Sequence, residues 1–217
     1  MTLRVLFVSE GSSDRGLRPH IEQAAAEEGQ QILLTAPDFA LLAGRVGHAV
    51  GDKLRAARQL GGDFDVVIVQ RDADGQGVQA RREEIAAAVE EVWGSLRHVP
   101  VIPVRMLEAW LLVDESVIRQ VAGNPGGKTR LGLPKGPAVE RVPDPKSMLK
   151  DALATASELK GRRLEIFQKR FPQNRHRLLE LIDPSGPLRD IPSWRAFVVG
   201  LSSAFRSAGT DGTGIES

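Results

Sequence analysis

Phe64-Asp65-Val66-Val67-Ile68-Val69-Gln70-Arg71-Asp72-Ala73-Asp74-Gly75 is the stretch that decides the fold. Residues 66–69 are a continuous β-branched run bounded by polar residues, the pattern of a strand covered on both faces. The run ends on two carboxylates one residue apart and then a glycine. In open α/β sheets, ligands bind beyond the carboxyl ends of the strands. Two carboxylates held close repel each other unless a cation lies between them, so this end of the sheet invites Mg²⁺ or Mn²⁺. Taken alone, the same residues also describe a strand end followed by a solvated Asp-Gly turn.

Outward from this strand the first half of the chain alternates strand and helix. Residues 4–8 form a short apolar strand ending at Ser9-Glu10-Gly11, and Ser12, Ser13 or Asp14 can cap the helix that carries Leu17, Ile21, Ala24 and Ala25. Residues 31–35 make a second strand. Leu42, Val46, Val50, Leu54 and Ala57 then fall on one helical face, despite the cost of Gly44, Gly47 and Gly51. Ile85, Val89, Val92 and Trp93 mark a third helix. A fourth strand spans residues 99–104, with prolines that suit a strand end or an edge. This order closes into a mainly parallel sheet with helices on both faces, an α/β core over residues 1–114.

Composition excludes several classes. The 217 residues include no Cys, which rules out disulfides and thiolate chemistry, and no Tyr, which rules out a phosphotyrosyl intermediate. Aromatic residues are 5% of the chain, which leaves little from which to build base-stacking platforms. No apolar run approaches the roughly 20 residues of a membrane span, and no charged leader with a cleavage site precedes the first strand. The expectation is a cytoplasmic protein. The net charge of +1 hides an asymmetry. Residues 1–114 carry 12 Lys/Arg against 17 Asp/Glu, a net of −5, whereas residues 115–217 carry 17 against 11, a net of +6. A basic second half meets a polyanion or packs on the acidic first half.

The segments that follow the strands carry the candidate chemistry. Glu10 follows the first, Asp72 and Asp74 the third, and Glu108 (in Arg105-Met106-Leu107-Glu108-Ala109-Trp110) the fourth. In a parallel sheet these ends share one edge. Four oxygen ligands gathered there, without His or Cys, select Mg²⁺ or Mn²⁺ rather than zinc. Singly, Glu108 also reads as a carboxylate favoured by a helix N-terminus and Glu10 as an exposed turn residue.

Glu-Gly after the first strand and Asp-x-Asp after the third, in an alternating α/β unit, resemble the TOPRIM domain of topoisomerases, bacterial primases and OLD nucleases. Glu108-Ala109-Trp110-Leu111-Leu112 narrows the resemblance to the small RloG-like, OLD-type TOPRIM proteins of bacterial defence loci, often encoded beside an SMC-type or AAA-type ATPase. Val142-Pro143-Asp144-Pro145-Lys146 and the segment from Ile191 to Phe197 resemble the same family more loosely. The resemblance implies Glu10 as general acid/base or metal-associated carboxylate, Asp72 and Asp74 as metal ligands, and Glu108 as an additional site carboxylate. The chain departs from the wider family in lacking the topoisomerase tyrosine and the zinc module of bacterial primases.

The second half, residues 115–217, reads as a basic loop-and-helix extension packed on the core. Ala122-Gly123-Asn124-Pro125-Gly126-Gly127-Lys128-Thr129 satisfies a relaxed P-loop pattern. That motif needs a strand before it and a helix after it, whereas here a helical segment precedes and a Gly/Pro run follows. Lys128, Arg130 and Lys135 on this long loop, with Lys146 beyond it, are candidates for holding a phosphate backbone; a solvated connector is the plainer reading. Met148, Leu149, Ala152, Leu153 and Ala156 fit a helix with Pro145 near its start. Lys160, Arg162, Arg163, Lys169, Arg170, Arg175 and Arg177 form either a phosphate footprint or a solvated face. Trp194, Phe197, Val198, Leu201 and Phe205 mark a closing core helix, and the tail from Ser207 is expected to fray. The four histidines show no ligand spacing.

These readings add up to a Mg²⁺- or Mn²⁺-dependent phosphodiester hydrolase acting on DNA or RNA, with an ATPase partner and an architecture compatible with a homodimer. The rival expectation is a non-catalytic effector or adaptor subunit of an ATPase complex.

Overall fold

The strand at the centre of the sequence reading is also central in space. In a computed structural model describing residues 2–42 and 46–211, four parallel strands line up as β2-β1-β3-β4. They are β1 (Thr2–Val8), β2 (Gln31–Thr35), β3 (Val66–Gln70) and β4 (His98–Val101). Every residue of β3 is buried. Its register, Val5 beside Val66 and Val67 beside His98, clamps it between β1 and β4. The strand period of two sends Leu3, Val5, Phe7, Val66 and Ile68 to one face and Leu6, Val8, Val67 and Val69 to the other.

The second face is closed by α2 (Val50–Gln59) and α3 (Val78–Trp93) through Leu54, Ile85 and Val89. The first face is closed by α1 (Arg18–Glu27) together with α9 (Pro192–Asp211). Phe197, Leu201 and Phe205 of α9 belong to the same core as Phe7 and Ile68, so residues 115–217 supply one of the two helices that cover this face of the sheet. The chain joins the halves through α4 (Glu108–Leu111), where Trp110 packs edge-on to Trp194 at 5.1 Å and stacks on Phe197 at 6.1 Å. Its indole N–H donates to Ser193 Oγ at 2.8 Å. Between them run α5 (Glu115–Val121), α6 (Pro145–Ser157), α7 (Gly161–Lys169) and α8 (Phe171–Leu181). The fold is α/β with a C-terminal helix, and no helix among the described residues is long and apolar enough to cross a membrane.

Four local expectations change. The second helix begins at Val50, so Leu42 and Val46 precede it, and Gly44 lies outside the described residues. Three glycines in eight positions outweigh the apolar spacing, and the helix starts once only Gly51 remains inside it. The fourth strand stops at Val101 rather than residue 104. Pro100 sits in this edge strand, where a missing N–H leaves no central ladder broken. Ser12, Ser13 and Asp14 do not cap α1; they open a 3₁₀ turn over Ser12–Leu17, and α1 follows with Pro19 in its first turn. Finally, α9 stays helical through Asp211, because Ala208 is buried on the core.

The 3₁₀ turn lies directly against α8. A Cβ on Gly16 would stand 2.7 Å from Leu179 Cβ and 2.8 Å from the His176 carbonyl oxygen. Ring nitrogens of His176 and His20 bond the Ser13 and Leu179 carbonyls across the same contact. Gly16→Ala is therefore expected to destabilise the protein by about 1–3 kcal/mol in urea titration, because backbone must move apart. Stability equal to wild type would show that the contact is slack.

Candidate functional site

At the carboxyl edge of the sheet a closed ring of hydrogen bonds fixes two carboxylates. Gln70, the last residue of β3, has a buried side chain. Its carbonyl accepts from the Glu10 amide at 2.8 Å, and its Nε2 donates to Asp72 Oδ1 at 3.0 Å. The Asp72 amide in turn donates to Glu10 Oε2 at 2.9 Å. Glu10 Oε1 pairs with Arg71 at 2.7 Å. Asp72 Oδ1 accepts a second bond, 3.2 Å, from the Leu107 amide at the start of α4. Lys53, buried on α2, donates to the carbonyls of Ser9 and Glu10 at 2.9 and 2.6 Å. Burial lowers its ammonium pKa, against an opposing pull from Glu10.

A second cluster faces the first. Arg175 of α8 is buried, and its Nε donates to Glu108 Oε1 at 3.0 Å while Nη1 donates to Asp14 and to Ser13 Oγ. Asp14 Oδ2 accepts from the Gly11 amide at 2.7 Å. The other oxygen of Glu108, Oε2, is buried without a hydrogen-bond partner. Burial opposes the charge on Arg175, but Asp14 and Glu108 outweigh it and raise its pKa.

Glu10, Asp14, Asp72, Glu108 and Arg175 line one cleft of about 530 Å³. Lys146 and Lys150, from the first turns of α6, form part of its wall. The structure thus brings together Glu10, Asp72, Glu108 and Lys146. It leaves out Asp74. Residues two apart share a face only while the backbone stays extended, and Asp74 adopts φ 46° in a turn closed by Gln76 and Gly77 amides on the Ala73 carbonyl. Its side chain is exposed.

Lys128, Arg130 and Lys135 are left out too. Their loop is tied to the far end of α6, by Asn124 on the Ala156 carbonyl and Thr129 on Glu158, and to α5 by Arg119 on the Thr129 carbonyl. The helical rise puts roughly 15 Å between that end and Lys146. The loop's P-loop resemblance also finds no strand before it, since α5 precedes it.

Of the site residues that escape a reading by strand ends, three had a signal. Gln70 closes an otherwise apolar buried strand. Arg175 falls on the apolar face of α8 with Phe171, Leu178 and Leu179, at helical spacing. Lys53 does the same on α2 with Val50, Leu54 and Ala57. A polar group on a buried face must find partners, so each marks a polar site. Asp14 resembled an ordinary helix cap and gave no such signal.

The donors suit a hard divalent cation: all are oxygens, and one of them is a buried, unpartnered carboxylate oxygen. Among the described residues no three acidic or imidazole groups stand close enough to chelate an ion as they are. Mg²⁺ usually takes one or two carboxylates and completes its shell with water and substrate phosphate, so a two-carboxylate grip is sufficient.

Burial first, then the charges of Glu10, Asp14 and Glu108, push the Asp72 carboxyl up to about 8, with Arg175 opposing. A raised carboxyl pKa favours the folded state fully at low pH, and that favour is lost as pH rises through the folded value. Wild type should therefore lose stability relative to Asp72→Asn between pH 5 and pH 9, by on the order of a few kcal/mol. Parallel melting curves across that range, without divalent ions, measure it; curves that stay parallel would contradict the shift.

No curated protein and no solved structure matches this chain. Residues 9–201 match the family described as Domain of unknown function (DUF4276). That span covers most of the chain, from the Glu10 turn into the middle of α9, and takes in most of both the acidic and the basic half. The chain belongs to the DUF4276 family.

Proposed function

We propose that the chain is a Mg²⁺- or Mn²⁺-dependent phosphodiester hydrolase acting on DNA or RNA in the cytoplasm. The observation that carries this reading is Asp72: a buried carboxyl pushed to about 8, beside three further carboxylates, in a cleft flanked by two lysines. Perturbed carboxyls in a cleft are characteristic of reaction centres. Asp72, with Glu10 or Glu108, would hold the cation, which when bound polarises a phosphoryl oxygen and lowers the pKa of water. Lys146 and Lys150 attract and orient the phosphate backbone, and their charge offsets the negative charge that grows in the transition state. Glu10, fixed by Gln70, Arg71 and the Asp72 amide, is positioned to move a proton at the attacking oxygen. The TOPRIM-like motif order supports the nuclease class, and the same resemblance supports an ATPase partner in bacterial defence.

One observation favours a non-catalytic adaptor instead. Arg175 already balances Asp14 and Glu108 without any metal, as a purely structural ion-pair cluster would. Cleavage of plasmid DNA and of single-stranded DNA and RNA, each with Mg²⁺ and with Mn²⁺, separates the readings. The hydrolase reading expects cleavage that falls about a hundredfold or more in Glu10→Gln and Asp72→Asn. Asp74→Ala should stay within about threefold of wild type, since Asp74 lies outside the cleft. Folded wild-type protein that cleaves none of these substrates would favour the adaptor.

A further inference from the structure

Beside the carboxylate cleft lies a second hollow, of about 240 Å³, between α6, α7 and α8. Lys150, Gln168 and Phe171 line both spaces, so the two are neighbours across a shared wall. The Lys150 ammonium stands 5.2 Å from the centre of the Phe171 ring, held at this wall by cation–π attraction. Phe167 provides a second aromatic side chain; two of the protein's seven phenylalanines thus line one small hollow. Pockets for drug-sized ligands run from roughly 300 to 1,000 Å³, so this one suits a single planar ring system.

The polar groups point the same way. Asn174 lines the hollow, and its Nδ2 is shut off from water with no hydrogen-bond partner. A buried donor left unpaired costs about 1–3 kcal/mol, which a turn of the Asn174 amide onto a ligand's acceptor would recover. Asp151, from α6, supplies an acceptor. An amide donor and a carboxylate acceptor set around aromatic side chains is the equipment that reads the edge of an unstacked base.

We infer that the hollow between α6, α7 and α8 seats one unpaired nucleobase of a DNA or RNA strand whose adjoining phosphate lies in the carboxylate cleft. This rests on the nucleic-acid reading above and narrows it to single-stranded or locally opened substrates. Lys150 serves both spaces, meeting the phosphate on one side and closing the base site on the other.

The test compares labelled single-stranded oligonucleotides of about eight nucleotides with abasic strands of the same length, as DNA and as RNA, by fluorescence anisotropy in EDTA. Wild type should bind the base-bearing strand about tenfold more tightly than the abasic one. Phe167→Leu, which keeps an apolar side chain, and Asn174→Leu should each reduce that ratio below about threefold. Asn174→Leu should also melt no lower than wild type, because it removes an unpaired buried donor. Equal binding of both strands by wild type would overturn the base site while leaving a nucleic-acid function intact. Binding of neither strand would also overturn the base site, while the nucleic-acid reading itself stands or falls on the cleavage assays with divalent ions. A difference between the DNA and RNA ratios identifies which strand supplies the base.

Discussion

The guanidinium of Arg175 lies between Asp14 and Glu108, and the geometry of the cleft depends on it. Removing charges from water costs several kcal/mol per ion, and only close pairing repays it. Arg175 comes from α8, Asp14 from the turn after β1, and Glu108 from the start of α4. One side chain therefore pins three separated elements to the carboxyl edge of the sheet. The close approach at Gly16 lets α8 come near enough for this pairing. The opposite charges of the two halves of the sequence find part of their explanation here, since a cation of the second half satisfies carboxylates of the first.

The same pairing shapes the rest of the site. Glu10 has Arg71, and Asp14 and Glu108 share Arg175. Asp72 is bonded by neutral donors, the Gln70 amide and the Leu107 N–H. Burial, and then the charges of Glu10, Asp14 and Glu108, all raise its pKa, so under the proposed function Asp72 is the carboxyl at which a proton and a divalent cation would compete. Its position is set by the strand itself, because Gln70 and the Asp72 backbone continue the edge of β3.

Much of this was legible in the sequence because periodicity reports burial directly. The all-apolar run of β3, the alternation of strands and helices, and the start of α6 at Pro145 all follow from local pattern. Strand ends in a parallel sheet share an edge, which suffices to gather Glu10, Asp72 and Glu108. What the pattern could not carry was backbone direction after the strand. Asp74 is lost to a turn at positive φ that no spacing rule announces. Nor could it show where a long loop is tied, and so Lys128 and Arg130 flank a residue held at the far end of α6, and Lys135 too lies outside the cleft lining. Arg175 looked like one of seven basic residues on exposed helices; only its place among Phe171, Leu178 and Leu179 set it apart.

Under the proposed function, Asp72 exchanges its proton for a divalent ion. Calorimetric titration of Mn²⁺ at pH 7, repeated in two buffers of different ionisation enthalpy, counts the protons released on binding. A carboxyl held near 8 is mostly protonated at that pH, so the account predicts release of about one proton per ion. Binding without proton release, or no binding at all, would contradict it.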